Sequence, residues 1–99
     1  MKIIHMSGKR KQAIARATLK QGTGQVRINK VALEVFQPRL ARDKIGEPLV
    51  LAGTVAHDVD IDIITHGGGF MSQAEAGRLA LAKALAKYDK KLESLFLSY

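Results

Sequence analysis

No cysteine occurs anywhere in the chain. Disulfides and thiolate metal sites are thereby excluded, and an intracellular, cytoplasmic protein is the natural expectation. No apolar run approaches the roughly 20 residues that span a bilayer, so no membrane partner is expected. The opening Met1-Lys2-Ile3-Ile4-His5 lacks the apolar stretch of a secretory signal. Repeats, linkers and low-complexity tracts are missing as well. The 99 residues therefore read as a single domain over 1–99, close to the usual domain size of about 100–150 residues. Such a chain buries roughly two-thirds of its unfolded surface, and an apolar share of 46% supports a core without metal or disulfide staples.

Acidic residues are scarce in the first half. Residues 1–44 hold eleven of the sixteen lysines and arginines against only Glu34 and Asp43. The remaining residues carry seven of the nine acids, so the formal charge of +7 is gathered at one end of the sequence. Clustered positive charge of this density points to a polyanionic partner, nucleic acid or an anionic membrane.

The pattern along the chain is mixed α and β. Ile3 to Met6 is β-prone, followed by the polar stretch Ser7 to Gln12. From Ala13 to Lys20 the residues alternate, with Ala15, Ala17 and Leu19 facing opposite to Ile14, Arg16, Thr18 and Lys20. Gln21-Gly22-Thr23-Gly24 reads as a turn into Val26 to Ile28, giving an expected hairpin with one apolar and one basic face. Leu33 to Phe36 suits a single helical turn. Pro38 fits the start of a helix that buries Leu40, Ala41, Ile45 and Leu49, is kinked or divided at Pro48, and stops at Gly53. Val55 to Thr65 alternates as a strand. After Gly67-Gly68-Gly69, Ser72 to Glu75 matches a capping box for a helix from Gln73 to about Tyr88, whose Ala76, Gly77 and Ala80 allow close approach to a sheet. A short last helix is expected over Lys90 to Phe96. The order implies helices laid on one face of a sheet.

Three constellations could carry chemistry. The tract Gly8-Lys9-Arg10-Lys11, continued by Arg16, Lys20 and Arg27, offers a flexible glycine and two rows of cations to a phosphate backbone; its plainer reading is a solvated, charge-protected hairpin edge. Gly67, Gly68 and Gly69 before a helix N-terminus form either a tight turn or an anion site, for an RNA phosphate before a nucleotide. A Walker loop requires Gly-Lys-Ser/Thr where Gly69-Phe70-Met71 stands, and a dinucleotide loop requires a small residue, usually Gly, at the position of Ser72 and an acid on a following strand, whereas Asp89 lies beyond the helix. Alternation puts Asp58, Asp60, Asp62 and His66 on one strand face. Counted from Asp58, a calcium loop fails at Ile63 and Gly69, so a solvated face or partners for nearby cations is the simpler reading. His5, His57 and His66 have no ligand spacing. No metal and no cofactor are expected, and Ser7, Ser72, Ser94 and Ser98 lack a placed base, so neither is an enzyme.

Several blocks together resemble the family of small-subunit ribosomal protein nine in its archaeal and eukaryotic form. They are Ser7-Gly8-Lys9-Arg10-Lys11-Gln12-Ala13-Ile14-Ala15-Arg16-Ala17, Arg27-Ile28-Asn29-Lys30, Lys44-Ile45-Gly46-Glu47-Pro48-Leu49, Val59-Asp60-Ile61-Asp62, and Gly67-Gly68-Gly69-Phe70-Met71-Ser72-Gln73-Ala74-Glu75-Ala76. The glycine-loop block is the most specific, and the likeness covers essentially the whole chain. The resemblance implies an α+β two-layer sandwich with about four strands, helices on one face, and a left-handed βαβ crossover as in the second domain of ribosomal protein five. It also implies a structural role in the small ribosomal subunit, binding ribosomal RNA in the subunit head beside neighbouring ribosomal proteins, through Lys9, Arg10, Lys11, Arg16 and the Gly67–Gly69 loop. The wider candidate RNA-binding set adds Lys20, Arg27, Lys30, Arg39, Arg42, Lys44 and Arg78. Family members continue past the position of Tyr99 into a basic tail that approaches transfer RNA in the peptidyl site; no residue of this sequence is assigned that contact. The rival readings are a phosphate- or nucleotide-binding domain of the same fold and a protein-interaction module with a basic face.

Overall fold

A computed structural model describes residues 3–92. Five strands form one mixed sheet: β1 (Ile4–Arg10), β2 (Ala13–Gln21), β3 (Val26–Ile28), β4 (Val31–Ala32) and β5 (Val59–His66), in the order β1-β2-β5-β3-β4. Two helices, α1 (Arg39–Ala52) and α2 (Phe70–Tyr88), and short 3₁₀ segments at Leu33–Val35, Gly53–Asp58 and Lys90–Leu92 complete it. The two-layer α+β class follows from the sequence; the fifth strand is the two-residue β4, too short to carry an alternating pattern.

Alternation decides which side of the sheet is dry. Ile4, Ala13, Ala15, Ala17, Leu19, Ile28, Val59, Ile61 and Ile63 are buried on one face, where α2 covers them with Ala74, Gly77, Ala80, Leu81, Ala84 and Leu85. Lys9, Arg16, Lys20, Arg27 and Asp62 lie on the open face. Small residues on both layers bring helix and sheet close. At Gly8 a Cβ would lie 2.6 Å from the Ala76 carbonyl oxygen and 2.8 Å from the Ala80 nitrogen. Gly8 is therefore a buried packing position inside β1, not the flexible glycine expected beside the cations, and β1 continues into the polar stretch as far as Arg10.

The expected hairpin between residues 13–20 and 26–28 does not form. β1 and β2 make the hairpin, with Arg10 opposite Ala13, and β5 lies between β2 and β3. β5 runs antiparallel to β2 and parallel to β3. Asp60 explains the insertion. Its Oδ1 accepts from the backbone N–H groups of Thr23, Gly24 and Gln25 at 3.0, 3.2 and 3.0 Å, so the connection after β2 is tied to β5 rather than folded into a tight turn. These amide bonds, chiefly from Gln25 and Thr23, hold the Asp60 carboxyl below its ordinary range. β5 itself starts at Val59, because Gly53–Asp58 is a 3₁₀ turn; Asp58 thus leaves the strand face it was expected to share.

Helix α1 runs unbroken through Pro48 to its stop at Gly53, which has φ 62°. A proline there removes the bond to the Lys44 carbonyl. Ala41, Ile45, Pro48 and Ala52 nevertheless form one buried stripe, and their packing holds the helix across the gap. Leu40, expected inside, is 69% exposed. Helix α2 begins at Phe70 with Gly69 as its N-cap and no side-chain cap. The capping box is not used: Ser72 already sits in the first turn, and Glu75 pairs with Arg10 on β1 at 2.6 Å. The expected last helix is a 3₁₀ turn over Lys90–Leu92, and its remainder lies outside the described residues.

Candidate nucleic-acid interface

Three turns meet at the end of the sheet where β5 finishes. The first joins β1 to β2 through Lys11 and Gln12, with Lys11 in the left-handed region at φ 55°. The second joins β3 to β4 through Asn29 and Lys30, left-handed at φ 51° and 71°, the two-residue turn whose twist matches a hairpin. The third is the glycine loop from β5 into α2. Gly67 and Gly68 have φ 82° and 62°, a conformation that costs an L side chain about 1–2 kcal/mol. A Cβ at Gly67 would also collide with the Gln12 carbonyl, and one at Gly68 would press on Ala13 and Ser72 at 3.3 Å. The glycines thus lay the start of α2 directly against the first turn.

A polar chain fixes the loop. Asn29 Oδ1 accepts from the Thr65 N–H at 2.8 Å and its Nδ2 donates to Thr65 Oγ1 at 3.0 Å. Thr65 Oγ1 donates to Gln73 Oε1, and Gln73 Nε2 donates to the Gly67 carbonyl, both at 3.1 Å. Asn29, Thr65 and Gln73 were absent from the expected site. Asn29 had a readable signal, since Asn is favoured in left-handed turns; the reach of Gln73 back to its own loop had none.

The resulting end of the molecule is anion-seeking. Phe70, Met71 and Ser72 present first-turn N–H groups without a side-chain cap, at the positive end of a 19-residue helix. Lys9 projects on the open face in register with Ile14 and His66, and Lys11 and Lys30 sit at the two turn tips. Together these supply point charges and directed amides, the two components of phosphate binding.

The other expected cations divide into two groups. Arg16, Lys20 and Arg27 share the open face with Lys9 but lie farther from the glycine loop, with Arg16 opposite Ile64, Lys20 opposite Asp60 and Arg27 opposite Asp62. Arg10 faces the helix layer and is engaged by Glu75. The remaining four lie in the helices. Arg39 and Arg42 approach Asp43 at 3.7 and 3.9 Å, Arg42 also donates to the Glu34 carbonyl, and Arg78 ties α2 to Glu47 of α1 at 3.4 Å. Lys44 lies half-buried on α1. The structure thus places Lys9, Lys11, Lys30 and the three glycines at one end of the sheet, sets Arg16, Lys20 and Arg27 along the open face beside Asp60 and Asp62, and uses the arginines of the helical layer in ion pairs. No helix among the described residues is long and apolar enough to cross a membrane.

A family model described as "Ribosomal protein S9/S16" matches residues 8–97. The chain is 48% identical to the "Small ribosomal subunit protein uS9" of Methanococcus maripaludis strain C5, with all of this chain and 75% of that protein covered. Its identity to the protein of the same description from Methanococcus vannielii is 46%, at the same coverage.

Proposed function

This chain belongs to the ribosomal protein S9/S16 family, and from that premise we propose that it binds small-subunit ribosomal RNA through the end of the sheet where the glycine loop meets the β1–β2 and β3–β4 turns. Membership makes it a structural constituent of the small ribosomal subunit in the cytoplasm, not an enzyme. Its partners are ribosomal RNA and neighbouring ribosomal proteins, and the RNA contact is assigned to the subunit head.

The observation that carries this reading is that Lys11, Lys30 and the uncapped first turn of α2 share the end of the sheet where β5 finishes, with Lys9 beside them on the open face. The lysines neutralise phosphates without sequence preference, and the amides of the first turn fix the register of one phosphate. Arg16, Lys20 and Arg27 extend the contact along the open sheet face. Folding is needed to build the site, because the three turns are distant in sequence: the strand ladders bring them to one end of the sheet, and the Asn29–Thr65–Gln73–Gly67 bonds tie the β3–β4 turn to the glycine loop.

The test is a salt titration of affinity for transcripts of the RNA of the small-subunit head. Replacing Lys9, Lys11 and Lys30 by Gln should reduce the slope of log affinity against log salt by about 2–3, at roughly 0.7–0.9 per lost phosphate contact. A folded variant that retains the full slope refutes the assignment.

A further inference from the structure

The lysines of the second half form a group of their own. β1 is an edge strand of the sheet, and α2 runs beside it in the opposite direction. Arg10 meets Glu75 near the start of the helix, Gly8 lies under Ala76 and Ala80, and Ser7 meets Lys83 farther along. Beyond that point a shallow groove of about 340 Å³ opens between strand and helix, lined by Met6, Lys83, Ala86, Lys87 and Lys90. The side chains that line it are those of Met6 and Ala86, which are apolar, and of three lysines. Lys83 and Lys87 are one helical turn apart, about 6 Å along the axis, and Lys90 follows in the next 3₁₀ turn. Among the described residues, none of the three lies within salt-bridge distance of a carboxylate.

We propose that this groove is a second RNA-binding site, and that a single strand of ribosomal RNA runs along the β1 edge from the β1–β2 turn to Lys90. The inference rests on the RNA-binding reading of the glycine-loop end and extends it to residues outside that site. The distance covered by β1 is about 20 Å at 3.3 Å per residue, and cations mark both ends of it, Lys9 and Lys11 at one and Lys83, Lys87 and Lys90 at the other. A flat, open groove of this kind follows a flexible polyanion; an enclosed pocket would be needed to select a small anion. An added β-strand from an acidic protein is disfavoured, because Lys83 Nζ donates to the Ser7 carbonyl of the edge strand at 3.1 Å, and lysine set against an edge obstructs strand addition.

The experiment compares the full chain with two triple variants, Lys83/Lys87/Lys90→Gln and Lys9/Lys11/Lys30→Gln, against transcripts of the subunit-head RNA, with circular dichroism confirming the fold. Since Lys83→Gln also removes the bond to Ser7, the double variant Lys87/Lys90→Gln serves as the second probe. The α2 triple should lower the salt slope by about 2, the double by about 1.5, and each should weaken binding at least tenfold at low salt. Hydroxyl-radical footprints should lose protection at one stretch of RNA with the α2 variants and at a different, adjoining stretch with the glycine-loop variant. If the α2 variants bind with an unchanged slope while the glycine-loop triple loses its own, the groove proposal fails and the parent reading stands. If neither triple alters binding, both fail. A groove that binds polyglutamate with Lys87-dependent affinity while leaving the RNA slope intact is a protein site, and that result also overturns the proposal.

Discussion

Two glycines face the boundary between α2 and its neighbours, and replacing each by alanine should move stability in opposite directions. At Gly8 the new Cβ would stand 2.6 Å from the Ala76 oxygen and 2.8 Å from the Ala80 nitrogen, with Leu79 Cβ at 3.1 Å. These are main-chain atoms of a helix anchored by seven buried residues, so relief requires α2 to lift by several tenths of an ångström along its contact with β1. Overpacking of this kind costs about 1–3 kcal/mol, partly offset by the roughly 0.5–1 kcal/mol that alanine recovers over glycine inside a strand. At Gly77 the new Cβ would meet Ile45 Cδ1 and Ile63 Cγ2 at 3.7 Å, an ordinary contact. There alanine gains about 0.8–1 kcal/mol of helix propensity, and the added methyl is buried. Gly77→Ala should therefore stabilise by about 1 kcal/mol and Gly8→Ala destabilise by about 1–2 kcal/mol, a separation of some 10–20 °C in Tm for a domain of this size. Urea and thermal unfolding followed by circular dichroism measure both. A neutral Gly8→Ala, or a Gly77→Ala that costs more than 1 kcal/mol, would refute the packing argument.

The other expectations concern the turns. Asp60→Ala should lower the urea midpoint at neutral pH, because three amides of the 23–25 turn lose their acceptor. Since the folded Asp60 carboxyl titrates below its usual range, its contribution is complete above about pH 4, the ordinary carboxylate value, and fades as pH falls through the lower folded value; the gap between wild type and variant should therefore narrow in acid, and a constant gap from pH 7 to pH 2.5 would contradict the clamp. Gly67→Ala should cost about 2–4 kcal/mol from left-handed strain and collision with the Gln12 carbonyl, and should weaken RNA binding even under conditions where the variant is folded. Unchanged unfolding of that variant would show that the loop does not need its glycine.

Much of the architecture was legible because it depends on neighbours a few residues apart. Period-two alternation in 13–20 and 59–63 marked the buried faces, and Gly53 and the triple glycine marked where helices stop and start. The basic tract and the glycine loop were both legible as candidate pieces of a site. Local rules failed where a distant residue intervened. Gly8 read as a flexible glycine because its sequence neighbours are cations, whereas the backbone of α2 makes it a packing position. Ser72 read as a cap because its motif is right, but Gly67 and Gly68 turn the chain so sharply that the helix begins three residues earlier. Pro48 read as a kink or a division, and a buried stripe on either side of it keeps α1 undivided. Lys83, Lys87 and Lys90 were overlooked inside a half with more acids than bases; their near-helical spacing was the available signal.

What the sequence determined by itself is the chemistry of each segment: which strand face is apolar, where positive charge accumulates, and which family the chain resembles. These follow from side-chain identity and from the periods of strand and helix. Only the tertiary structure decided that β5 lies between β2 and β3, held there by Asp60, and so which turns share one end of the molecule. Alternation tells a strand which face to bury but carries no information about its neighbour in the sheet. The gathering of Lys9, Lys11 and Lys30 around the glycine loop is set by that choice of neighbours.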